Sequence, residues 1–239
     1  MRIAKVLLII GGVISLLFLQ TALEAKKKPK EVENKLFLDD TQLDNPEYYN
    51  QFPLLSLEAF ATALLTPKTT NFKIINNNYT LARADSKIAE EMVAVALGMR
   101  QEYVKIEAEG KSLISGNLEG SEAEISETMK LKLEDLKTNK AQLSEIQKTY
   151  FLSGFIYLAG SVAREKIVLE SAKMFVNEAK NAQGIAAVVY VKDLPYATNV
   201  VIGLPGLLTN QLKTISEFVT IAKTQNIDIP PDVTANLFQ

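Results

Sequence analysis

The feature that most constrains this chain is a seven-residue recurrence of large apolar side chains between residues 80 and 160. Met92, Met99, Ile106 and Leu113 fall seven apart, and Ile88 and Val95 fill the same stripe. Glu90, Glu91, Arg100, Gln101, Glu107 and Lys111 lie off it. Such spacing returns a side chain to the same face of an α-helix every two turns, so one face is oily and the other wet. It predicts an amphipathic helix over roughly 80–115, about 54 Å long at 1.5 Å per residue. Ser115-Gly116-Asn117 supplies a stop, with Gly116 free to take the left-handed backbone.

A second stripe follows. Ser121-Glu122-Ala123-Glu124 has the form of a capping box. Beyond it Met129, Leu136, Leu143, Tyr150 and Tyr157 again recur every seven residues. Two such helices joined by a short turn-forming segment are expected to fold back on each other. The predicted fold is therefore all-α: a helical bundle built on a long antiparallel hairpin, about 80–115 and 121–150, with further buried C-terminal helices.

Smaller signals place the rest. Leu57 to Leu65 reads as a short helix capped by Ser56 and ended by Pro67. Asn76-Asn77-Asn78 reads as a turn. From Tyr150 to Ala163 the chain has no charge and is apolar on every side, which predicts a helix buried all round. Arg164, Glu165 and Lys166 restore polarity, and the helix is expected to reach about Asn181, before Gly184. Residues 185–208 are apolar again and predict two short buried helices, each opened by its proline, Pro195 and Pro205. Val188 to Lys192 also suits a strand. A last helix is expected over about 205–224, with Asn226 as its cap and an extended tail from Ile229-Pro230-Pro231.

The N-terminus carries an address. Arg2 and Lys5 precede an uncharged apolar run from Val6 to Leu19, and Thr21 to Ala25 offers small residues for cleavage. Leu23 is larger than the cleavage rule prefers, and the block Lys26-Lys27-Lys28-Pro29-Lys30 opposes translocation. Residues 1–25 are thus expected to be a signal peptide or an uncleaved membrane anchor, 26–53 a tether, and 54–239 one helical domain. The expected location is exported: periplasmic or extracellular, with membrane tethering as the uncleaved alternative.

Absences narrow the chemistry. The chain has no Cys and no His, which removes disulfides, thiolate nucleophiles, cysteine- or histidine-bound zinc and the Ser-His-Asp triad. With 26 Lys and Arg against 28 Asp and Glu it is mildly acidic, and no cationic face follows residue 40, so nucleic acid is not an expected partner. Gly203-Leu204-Pro205-Gly206 lacks the lysine and spacing of a phosphate loop. Ser153 or Ser161 with Lys148 or Lys166 are candidates for a Ser–Lys pair, and Glu90-Glu91 and Glu134-Asp135 for paired carboxylates. Neither stands out from surface chemistry. No cofactor, metal or catalytic residue is assigned, and the chain is read as a non-enzyme.

The aromatic cluster is the one candidate binding feature. Tyr150, Phe151, Phe155 and Tyr157, faced by Met92 and Met99, suit either core packing or the lining of an apolar groove with tyrosine hydroxyls as its polar handles. The function expected is partner binding or scaffolding in the cell envelope, through an unidentified protein or self-association. The alternative is a lipid-binding or membrane-active protein that releases residues 150–163 and 185–208 to a membrane surface.

Overall fold

A computed structural model of the chain describes residues 58–99 and 127–237. The chain divides into two compact units, Met1–Lys35 and Leu36–Gln239, and all the described residues belong to the second. The expected signal, tether and capping box at 121–124 lie outside the described residues. Among those described there are seven α-helices and no strand, so the all-α bundle expected from the spacing is what forms.

The first helix, α1 (Glu58–Leu64), is closed by Leu65 and Thr66, whose amides turn back onto Thr62 and Ala63. The second, α2 (Phe72–Ala96), starts at Asn71, whose Oδ1 accepts the amides of Lys73 (3.1 Å) and Ile74 (3.4 Å). Asn76-Asn77-Asn78 is therefore not a turn but lies early in α2. The Asn71 cap nucleates the helix, while buried Ile75 and half-buried Tyr79, one turn apart, pack on the core and outweigh the weak helix propensity of asparagine.

Helix α2 also ends earlier than its stripe implied. Gly98 takes a φ of 68°, its amide bonds Val95, and the Met99 amide reaches back to Ala94 at 2.8 Å. That pair of bonds is a Schellman stop, which satisfies carbonyls the helix would leave bare. The helix predicted over 80–115 thus starts at 72 and closes at 96; residues 100–126 lie outside the described residues.

The second predicted helix is also interrupted. After α3 (Glu127–Lys137), Asn139 adopts φ 59°, its amide bonds Leu136, and the Lys140 amide bonds Asp135 at 2.8 Å. The chain restarts in α4 (Glu145–Asn181), where the Ser144 amide is held by Gln147 Oε1 at 2.8 Å. Buried Gln225 fixes the break: its Oε1 accepts the Leu143 amide (2.9 Å), and its Nε2 donates to the carbonyls of Leu136 (3.0 Å) and Ala141 (2.9 Å). Even so, Met129, Leu136, Leu143, Tyr150 and Tyr157 are all buried. The stripe named the core residues correctly although the backbone between them is not one helix.

Helix α4 is the central element. Ser171 Oγ accepts the amide of Thr69, Ser161 bonds the carbonyl of Ala82, and Gly154 lies against Ala89, Met92 and Val93. The contacts advance along α2 as they retreat along α4, so the two helices run antiparallel. Among the described residues the antiparallel pair is built from 72–96 and the middle of α4; the turn expected between 80–115 and 121–150 lies outside them.

The C-terminal part departs furthest from expectation. After Gly184 (φ 60°) comes α5 (Ile185–Val191), then α6 (Leu194–Thr224), bent by 56° from it. Val188 to Val191 is helical rather than a strand. Pro195 lies in the first turn of α6 as expected, but Pro205 lies inside that helix and does not start a new one. Pro205 is exposed; it has no amide to give the Val201 carbonyl, and its ring crowds that carbonyl. Asn226 takes the left-handed φ of 54° just past the end, and Ile227 bonds back to Ala222 at 2.8 Å. The expected tail forms α7 (Pro231–Leu237), where a proline at the first position suits a helix and Val233 is buried.

Candidate functional site

The six residues expected to line a groove come together in one core. Met92, Met99, Tyr150, Phe151, Phe155 and Tyr157 are all buried, none more than 8% exposed. Helix α6 covers this cluster through Phe218, whose ring centroid is 5.0 Å from that of Phe151. Burial raises the Tyr150 hydroxyl pKa, and burial together with the charge of Asp85 raises that of Tyr157 further. Both hydroxyls therefore stay protonated at neutral pH. Gly154 permits the close approach of α2, since a Cβ there would stand 2.9 Å from the Ala89 carbonyl oxygen and from Val93 Cγ2.

The sequence reading missed a polar layer just beyond these aromatics. Arg164 lies inside the bundle, its Nη2 3.2 Å and Nε 3.3 Å from Asp85 Oδ2 on α2, with Nη1 3.4 Å from Thr66 Oγ1 after α1. Glu165 is fully buried, and its Oε1 accepts from Gln211 Nε2 of α6 at 3.3 Å. Arg83 is buried beside them and acts on Glu165 through its charge. Residues 164 and 165 were expected to return the helix to solvent; of the three polar residues there, only Lys166 is partly exposed. The overlooked signal is register. Tyr157, Ser161, Arg164, Glu165, Val168 and Ala172 share the inward face of α4, so both charges continue the apolar stripe.

Burial dominates the titration of this layer. Desolvation pushes the Asp85 carboxyl up to about 6 against the opposing pull of Arg164, and the Glu165 carboxyl up to about 7 against Gln211, Arg83 and Ser161. Burial likewise drives the Tyr196 hydroxyl up to about 12.

Three of the Ser–Lys candidates have other bonds. Ser161 donates to the Ala82 carbonyl at 2.8 Å, Ser153 to the Thr149 carbonyl at 3.0 Å, and Lys148 pairs with Glu145 at 2.7 Å. Among the described residues no three acidic side chains cluster as metal ligands.

A third feature lies at the surface. Helix α5 has no buried residue, and Ile185, Val188, Val189 and Val191 stand 67–90% exposed, as does Ile202 on α6 at 72%. Of the region expected to supply two buried helices, residues 185–191 thus present their aliphatic side chains outward, whereas Ala197, Val200, Leu204 and Leu208 on α6 are buried as expected. Tyr190 turns in, its ring 5.2 Å from that of Phe175.

Fold and site together define a helical bundle with a buried ionic layer and a protruding aliphatic helix. Comparison with protein-family models, curated proteins and solved structures finds no match for this chain.

Proposed function

We propose that this chain is a non-catalytic helical protein of the cell envelope, exported or held at a membrane by its N-terminal segment, that acts by binding a protein partner through α5. The observation that carries this reading is the exposure of α5. Four aliphatic side chains on seven residues face water, although burying each contributes roughly 1.5–3 kcal/mol. A short arm of aliphatic side chains, bent 56° from α6, suits an apolar groove on a folded partner. Arg164, Asp85, Ser161 and Gln211 inside the bundle hold helices together, whereas these four aliphatic side chains of α5 have no internal use.

A second reading has its own observation. Although no single described helix is long and apolar enough to cross a membrane, α5 and α6 taken together pass that test as a bent pair, and Leu194 to Leu212 carries no charge. This supports a lipid surface as the alternative occupant.

One experiment separates them. A photo-crosslinking residue at position 188 of the full-length chain should give a discrete protein adduct that Val189→Asp abolishes while helical content is unchanged. An adduct indifferent to Val189→Asp, or none, would remove the protein-partner reading. Flotation with phospholipid vesicles, lost in the same variant, would favour the lipid surface.

A further inference from the structure

The contact between Glu165 and Gln211 is one proton short. Gln211 Nε2 donates to Glu165 Oε1 at 3.3 Å, but the other oxygens of both groups, Glu165 Oε2 and Gln211 Oε1, are buried and have no partner among the described residues. Ser161 does not relieve the deficit. Its single hydroxyl proton is directed to the Ala82 carbonyl at 2.8 Å, leaving only a distant 3.5 Å approach to Glu165. Ionised, Glu165 would be a fully buried carboxylate with one hydrogen bond, opposite an amide oxygen that also needs a donor. Burying two acceptors without a donor is costly. A proton on Glu165 removes the buried charge and adds the donor that this pair lacks.

We propose that Glu165 is held as a neutral carboxylic acid, paired with Gln211 as acid to amide, so that one proton latches α6 to α4 and its loss loosens α6 there.

The surroundings set the balance. From α2, the Arg83 charge favours the carboxylate and the Asp85 charge opposes it, while Lys87 is paired with Glu90 at 2.9 Å. On α4, Arg164 is committed to Asp85 and Thr66. Tyr157 faces Asp85, and from α6 Tyr196 faces Arg83 and Tyr79. Helix α6 offers Glu165 no cation; Gln211 is its contact. Desolvation exceeds the help from Arg83, in keeping with a carboxyl raised to about 7.

The test is a carbon-detected NMR titration of the glutamate carboxyls in the full-length chain, assigned through bonds, with hydrogen exchange of α6 corrected for intrinsic rates. The Glu165 carboxyl should titrate near 7 rather than near 4.5, and protection around Gln211 should fall above that midpoint. Glu165→Gln, which supplies a permanent donor, should keep that protection constant across the same range. A midpoint near 4.5 in the unaltered chain would overturn the proposal whether or not the variant folds. So would a loss of α6 protection that persists in Glu165→Gln.

Discussion

At the scale of single residues, the closest approach in the bundle rests on a missing side chain. Alanine is the better helix former by about 1 kcal/mol, yet a methyl at position 154 would press on the Ala89 carbonyl oxygen, which belongs to the backbone of α2 and cannot rotate away. Gly154→Ala should therefore destabilise the fold by about 1–3 kcal/mol in denaturant melts, and a gain would mean that α2 and α4 are further apart than described. The Arg164–Asp85 pair has the opposite character. Removing the carboxylate alone, as in Asp85→Ala, leaves a buried guanidinium with Thr66 as its remaining contact and should cost about 3–5 kcal/mol. Replacing both partners together, as in Asp85→Ala with Arg164→Met, should recover much of that loss, measured by a double-mutant cycle. The buried acids also give stability a pH dependence. Glu165 is raised from 4.5 to about 7, so its contribution is complete below about 4.5 and is lost as pH rises through 7, roughly 3 kcal/mol in all. Asp85, raised from 3.8 to about 6, adds in the same direction over a lower window. Thermal melts at pH 5 and pH 8 should differ by about 6–12 °C in favour of the acid side, and equal midpoints would contradict the raised pKa values.

At the scale of elements, the stops and joints decide the architecture. Gln225, just past α6, satisfies three backbone groups in the link between α3 and α4, so Gln225→Ala strands polar groups in the interior. It should cost about 2–4 kcal/mol and speed hydrogen exchange at Leu143, while exchange in the middle of α2 changes only as global stability does. What the sequence disclosed at this scale follows from the same physics. A seven-residue stripe reports which side chains point inward, and Met92, Met99, Met129, Leu136, Leu143, Tyr150 and Tyr157 all do. The stripe is silent on continuity, because the link at 138–144 spans one heptad and lets Leu136 and Leu143 both stay inside. Gly98, two residues past the end of α2, holds a stop signal, but the apolar spacing of Met92, Met99, Ile106 and Leu113 runs straight past it. Asn139 carried a weaker version of the same signal. Arg164 and Glu165 were misplaced because charge was taken as a mark of exposure, whereas their partners Asp85 and Gln211 lie 79 and 46 residues away in sequence and only the folded chain brings them together.

At the scale of the whole molecule, composition and placement disagree most at α5. Ile-Ala-Ala-Val-Val-Tyr-Val is as apolar as the middle of α4, yet the first lies in solvent and the second at the centre of the bundle. The difference is one of neighbours. Helix α4 is lined by α2 and α6 along its length, while α5 touches the bundle mainly through Tyr190, between Phe175 and the Glu178 carboxylate. The surfaces that stabilise the fold and the one proposed to bind a partner are therefore separate, and a substitution can tell them apart. Val189→Asp exchanges a side chain that is 74% exposed, so it should alter the free energy of unfolding by no more than about 0.5 kcal/mol. The same change at Val162, which is fully buried on α4, should unfold the chain by placing an unpaired carboxylate in the core. If Val189→Asp instead cost several kcal/mol in denaturant melts of the isolated chain, α5 would be packed internally, and its aliphatic side chains would no longer be available to a partner. A neutral result in the melts, joined to loss of the crosslinked adduct, is the combination that only an outward docking helix gives.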